Sequence, residues 1–170
     1  MSKYRVSRWC AASVLSVLLG LAGCGVPRPS DSPLILAPND LPEPVCSAPP
    51  AGHVLTGVWY VVRKQAGVAG EVQTLLTLSA DGKMRQQIRV KQGRNIRSEL
   101  RETGCWEAPQ GKLVLRISRS NGEMVDYRDP MYTLTYVIER SDARRVVFRE
   151  DKPESRPATG QRVQDSFRLM

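Results

Sequence analysis

The sequence predicts an all-β protein: an antiparallel up-and-down meander of about eight strands closed into a small barrel. Three observations lead there. Apolar residues alternate with polar ones at period two from Val54 onward, as in Thr74, Leu76 and Leu78 or Tyr132, Leu134, Tyr136 and Ile138. Turn signals recur at short, regular intervals, at Asp81-Gly82, Gly93-Arg94-Asn95 and Asn121-Gly122. No segment carries a helical apolar stripe with caps.

The predicted strands are 54–63, 71–79, 83–92, 96–106, 112–119, 123–128, 131–140, 144–150 and 162–169. Partners across an antiparallel pair share a face, so the register must match apolar to apolar. A three-residue loop Ala80-Asp81-Gly82 sets Leu78 opposite Met84, Thr74 opposite Ile88 and Val72 opposite Val90, with Gly82 left-handed. A loop at Gly93-Arg94-Asn95 sets Ile88 opposite Leu100 and Arg89 opposite Glu99. A loop Ser120-Asn121-Gly122 sets Ile117 opposite Val125, Leu115 opposite Tyr127 and Arg116 opposite Asp126, with Arg119 meeting Glu123. The polar stretch 151–161 reads as a loop. A meander of this many strands removes its exposed edges by closing, and eight strands enclose a space that side chains fill or that holds one small ligand.

The N-terminal segment has a different character. Lys3, Arg5 and Arg8 precede an apolar run of 15 residues from Trp9 to Gly23, short of the ~20 that span a bilayer. A charged start, a short apolar middle and a small-residue end describe a secretory signal. Leu21-Ala22-Gly23-Cys24 resembles the lipobox of bacterial lipoproteins. The resemblance implies cleavage before Cys24, a lipid on its sulfur and acylation of the new amine. Two or more chains then hold the protein at a membrane, since each buried methylene contributes about 0.8 kcal/mol. Gly25 at the sorting position implies the outer membrane, on its periplasmic side.

On that reading residues 1–23 are a cleaved signal, 24–50 a lipidated proline-rich tether, and 51–170 the barrel domain. Loss of Lys3, Arg5 and Arg8 lowers the net charge from +8 to +5. Cys10 leaves with the signal and Cys24 carries lipid, so Cys46 and Cys105 remain to pair in an oxidising compartment. Eight prolines between Pro27 and Pro50 favour extended geometry, a reach of at most about 65 Å from Gly25 to Val45.

Gly57-Val58-Trp59-Tyr60 opens the first predicted strand, and Phe167-Arg168 sits on the last. This layout resembles lipocalins, in which a Gly-x-Trp on the first strand is crossed by a late Arg. The resemblance implies a lipocalin-like barrel with Arg168 across Trp59. Gly104-Cys105-Trp106 is similar to small periplasmic protease-inhibitor barrels, which also carry a Trp and a disulfide. The lipocalins' C-terminal helix and Thr-Asp-Tyr loop motif have no counterpart here. Trp59, Trp106, Tyr132, Tyr136 and Arg168 are the candidate ligand-lining residues, and plain core packing is the alternative for both tryptophans.

The chain is poor in catalytic signatures. His53 is the only histidine, and nothing near it resembles a nucleophile turn. No set of His and free Cys has metal-ligand spacing, and glycine-rich phosphate motifs are absent. Glu99, Asp126 and Glu139 fall on outer faces opposite arginines, a pattern of solvated ion pairs. The expectation is a non-enzyme without metal or cofactor. Arg85, Arg89 and Lys91, with Arg97 and Arg101 beside them, form a basic outer ribbon broken by Glu99. In the envelope its partners would be anionic head groups or acidic proteins, not nucleic acid; the simpler reading is a charged face that resists sheet aggregation. Two functions follow: a barrel binding a lipid or other apolar ligand, or an envelope scaffold or inhibitor acting through its surface on a protein. The volume of the interior separates them.

Overall fold

The computed structural model of the chain describes residues 41–65 and 67–169. The lipobox, Cys24 and the tether up to residue 40 lie outside the described residues. Nine strands form: β1 (Gly57–Arg63), β2 (Glu71–Leu78), β3 (Lys83–Gln92), β4 (Asn95–Glu107), β5 (Lys112–Ser120), β6 (Glu123–Met124), β7 (Thr133–Ser141), β8 (Arg145–Glu150) and β9 (Ala158–Val163). Every pairing is antiparallel. The circuit β1-β2-β3-β4-β5-β7-β8-β9 closes back on β1, and β6 is a two-residue flap on β5. The barrel expected from period and turns is thus present, with eight strands in the wall.

Two hairpins keep the register that apolar matching predicts. Leu78 faces Met84, Thr74 faces Ile88 and Val72 faces Val90, around a loop in which Gly82 takes φ 81°. Ile88 faces Leu100 and Arg89 faces Glu99. The turn there is only Gly93-Arg94, and a bulge past Val90 adds the extra residue in strand β4.

The third hairpin differs. Asn121 and Gly122 both take positive φ, 50° and 91°, the geometry of a two-residue turn that suits the twist of the strands. Ser120 therefore faces Glu123 and Arg119 faces Met124, one residue from the predicted register. The pairs Arg116–Asp126 and Arg119–Glu123 do not form. Arg116 binds Glu107, Asp126 binds Arg128, and the chain leaves the sheet after Met124 so that β5 can pair with β7.

The last strand also differs. It runs over Ala158–Val163, so it begins inside the stretch 151–161 expected to be a loop and keeps only residues 162–163 of the expected strand, whereas 164–169 is not strand. Its inward residues are small because space is short there. A Cβ on Gly160 would stand 2.9 Å from Val146 Cγ1 and 3.4 Å from Val61 Cγ2. A strand whose core face is Ala158, Gly160 and Arg162 has no apolar alternation to read.

The inward faces assemble one core of Leu55, Trp59, Val61, Leu76, Leu78, Met84, Trp106, Leu113, Leu115, Ile117, Val125, Val146 and Phe148. Burial of these side chains is the main stabilising term, about 1.5–3 kcal/mol for each large one. Cys46 is bonded to Cys105, which pins the N-terminal lead onto β4. That lead is docked well before the cysteine: Leu41 is buried, Tyr127 Oη donates to the Pro42 carbonyl at 3.1 Å, and Glu43 pairs with Arg119. Residues 41–50 therefore rest on the barrel wall.

Candidate functional site

Trp59 and Trp106 are sealed in the core, each 1% exposed. Trp59 Nε1 donates to the Leu55 carbonyl at 2.7 Å, and Trp106 Nε1 donates to the Ser79 carbonyl at 2.9 Å. With their one polar group satisfied, they are packing residues. His53 belongs to the same end of the barrel. Its Nδ1 accepts from the Leu55 amide at 3.2 Å, and its ring meets Trp106 edge-on at 5.5 Å.

The arginine across Trp59 is Arg162, not Arg168. Arg162 pairs with Trp59 across β1 and β9, so both side chains share the inward face. Its guanidinium lies 4.3 Å from the indole centroid and donates to the carbonyls of Val54 and Ala143 at 2.6 Å each and to that of Thr56. It closes this end of the barrel. In the sequence the apolar neighbour Phe167 marks Arg168, whereas Ala158, Gly160 and Arg162 carry no apolar alternation to mark Arg162.

The interior is nearly solid. A cavity of about 30 Å³ remains, bordered by Val61, Thr74, Gln86, Ile88, Tyr136 and Phe148 among others. That is room for about one water. Of the five predicted lining residues only Tyr136 borders it. Tyr136 packs edge-on against Phe148 at 5.2 Å, and burial pushes its phenol up to about 12. Tyr132 sits in the turn before β7 and packs against the core from its rim.

Gln86 and Glu102 are buried polar residues that face one another across β3 and β4. Gln86 Nε2 donates to Glu102 Oε2 across β3 and β4. Burial raises the Glu102 carboxyl above its usual range, and the Gln86 bond offsets only part of that. Near the cavity, Arg63 bonds Glu150 at 3.0 Å; burial pushes the Glu150 carboxyl up, and Arg63 and Lys152 together outweigh it and hold the carboxyl low. Among the described residues no group of His, Cys, Asp or Glu is arranged to hold a metal ion, and no helix is long and apolar enough to cross a membrane.

The concave sites are on the outer wall. A groove of about 510 Å³ is lined by Arg85, Gln87, Arg89, Arg101, Arg119 and Arg168, with Leu169 beside them. The C-terminal segment makes its edge. Phe167 packs on Tyr60 at 5.1 Å, Leu169 is buried, and Arg89 donates to the Leu169 carbonyl at 2.6 Å. A second cleft of about 520 Å³ under the same segment shares Arg85, Gln87 and Arg168. Glu99 accepts from Arg89 at 2.7 Å and pairs with Arg101 at 2.6 Å, and the Arg89 bond, opposed by desolvation, leads in lowering its pKa. Arg85, Arg89 and Arg101 of the basic ribbon read from the sequence form one wall of this groove, whereas Lys91 and Arg97 do not line it. The other wall, Arg119 and Arg168, comes from strand β5 and the C-terminal segment, which no local pattern connects to β3.

Together these features define a small eight-stranded antiparallel barrel with a filled interior, a disulfide-pinned lead and a basic outer groove. No family model matches the chain, and no curated protein matches it in sequence. Among solved structures it is similar to the crystal structure of the Cpx pathway activator NlpE from Escherichia coli, at 21% identity and a TM-score of 0.39 over 67% of this chain. The chain spans about half of that structure's length, 48%.

Proposed function

We propose that the protein is a lipid-anchored, non-enzymatic envelope lipoprotein whose barrel is a solid scaffold acting through its outer surface on a protein partner. In this reading residues 1–23 are removed, Cys24 carries the lipid at the periplasmic side of the outer membrane, residues 24–50 are the tether, whose last part, 41–50, is docked on the barrel wall, and 51–170 form the domain. The observation that carries the choice of surface over interior is the 30 Å³ cavity. Small-molecule sites occupy a few hundred Å³ or more, so an apolar ligand has no room inside this wall. The lipobox-like Leu21-Ala22-Gly23-Cys24 and the Cys46–Cys105 bond support the envelope location.

Mass spectrometry of the protein from membranes tests the anchor. The expected species begins at Cys24 and carries acyl chains, and Cys24→Ser accumulates as an unprocessed precursor. Normal cleavage in that variant would refute it. Native mass spectrometry after gentle extraction tests the solid scaffold, which predicts no bound apolar molecule. Crosslinking in intact cells should recover a protein; recovery of lipid alone would overturn the surface reading.

A further inference from the structure

The outer groove gathers more guanidinium than it neutralises. Five arginines line it: Arg85, Arg89, Arg101, Arg119 and Arg168. Among the described residues two carboxylates pair with them, Glu99 with Arg89 and Arg101, and Glu43 with Arg119. Glu102 also borders the groove, but its carboxylate is bonded to Gln86 in the core. Arg168 donates only to the carbonyls of Asp165 and Phe167. Arg85 is exposed and makes no hydrogen bond or ion pair among the described residues. A concave floor with an excess of planar, always-charged forks suits a compact multivalent oxyanion, which guanidinium groups bind in bidentate fashion.

The groove also lies where the N-terminal lead meets the barrel. Arg119 and Gly122 line it, and Arg119 holds Glu43, two residues after the first described residue, Leu41. Surface potential at an anionic leaflet contributes about 1 kcal/mol per basic residue held close to it, about a factor of five.

We propose that this arginine groove is a phosphate-binding site that takes the phosphate of an anionic lipid head group and so sets which face of the barrel the membrane sees. The inference rests on the lipid-anchored reading for the source of the phosphate, and on the groove alone for the site.

Arginine footprinting with a dicarbonyl reagent, read by mass spectrometry, tests it on the full chain. In one arm the protein is reconstituted in phosphatidylcholine vesicles with or without phosphatidylglycerol. In the other it stays in neutral detergent with or without glycerol phosphate. Phosphatidylglycerol should slow modification of Arg85, Arg101 and Arg168 about fivefold or more and leave Arg140 and Arg144, on the β7–β8 hairpin, unchanged. The doubly substituted variant R85Q/R101Q should lose the protection of Arg168. Protection by glycerol phosphate and not by vesicles would keep the phosphate site and make its ligand soluble. No protection in either arm, or equal slowing of every arginine, overturns the proposal. A chain found without lipid on Cys24 but protected by glycerol phosphate would refute the anchor and leave the site standing.

Discussion

Arg162→Met should be among the most destabilising single changes at the surface of this barrel, and Arg168→Met should be nearly silent. Methionine keeps much of the aliphatic stem over Trp59 and deletes the guanidinium. Three acceptors then lose their donor: the carbonyls of Thr56, Val54 and Ala143. The Thr56 bond is partly buried and charge-assisted, a class that contributes about 2 kcal/mol. The other two are exposed and contribute about 0.5 kcal/mol each, because water replaces the donor. The cation over the indole at 4.3 Å adds about 1 kcal/mol. The loss is about 4 kcal/mol, which lowers the urea midpoint by about 2 M at a slope of ~2 kcal/mol/M. Arg168 donates only to exposed carbonyls of its own segment, so its replacement should cost under ~0.5 kcal/mol. Urea titration by circular dichroism, with the disulfide intact, separates the two. A loss below ~1 kcal/mol for Arg162→Met, or equal losses for both variants, would refute the assignment of Arg162 as the closure of the barrel end.

Other predictions concern the core and the seams. Cys46 and Cys105 are 59 positions apart, so a Cys46→Ala/Cys105→Ala variant should lose about 4 kcal/mol and roughly 10–15 °C in melting temperature; an unchanged calorimetric transition would show that the lead is held by other contacts. The raised carboxyl of Glu102 contributes stability that is fully present at low pH and is lost as pH rises through its folded value. Glu102→Gln keeps an acceptor for Gln86 and removes that loss, so it should exceed the wild type in melting temperature at pH 8 and match it at pH 4; parallel curves across that range would sink the idea. Gly104→Ala places a methyl 1.8 Å from the Arg116 carbonyl oxygen, which forces β4 and β5 apart where the barrel closes; it should cost more than ~3 kcal/mol and expose the amides of both strands to hydrogen exchange, and full protection would contradict the closed seam.

Leu78 opposite Met84 and Ile88 opposite Leu100 were legible because only one register buries both rows of apolar side chains. The Asn121-Gly122 register was not, since two-residue and three-residue loops both give plausible partners and only the φ of Asn121 separates them. Strand β9 was hidden because a crowded wall selects Ala158 and Gly160, which erases the alternation that marks a strand. Of the groove, the wall from β3 and β4 was visible as a basic ribbon. Arg119 and Arg168 were not visible as its other wall, because they reach it through the closure of the sheet and the path of the C-terminal segment.

Local pattern by itself determined that this protein is an antiparallel barrel and which hairpins begin it. Those properties depend on neighbours within a turn. Tertiary closure decided the rest: that the interior is filled, that Arg162 rather than Arg168 lies on Trp59, and that five arginines share one groove. Each depends on which distant residues the ring of strands brings face to face, and on the volume their side chains leave between them.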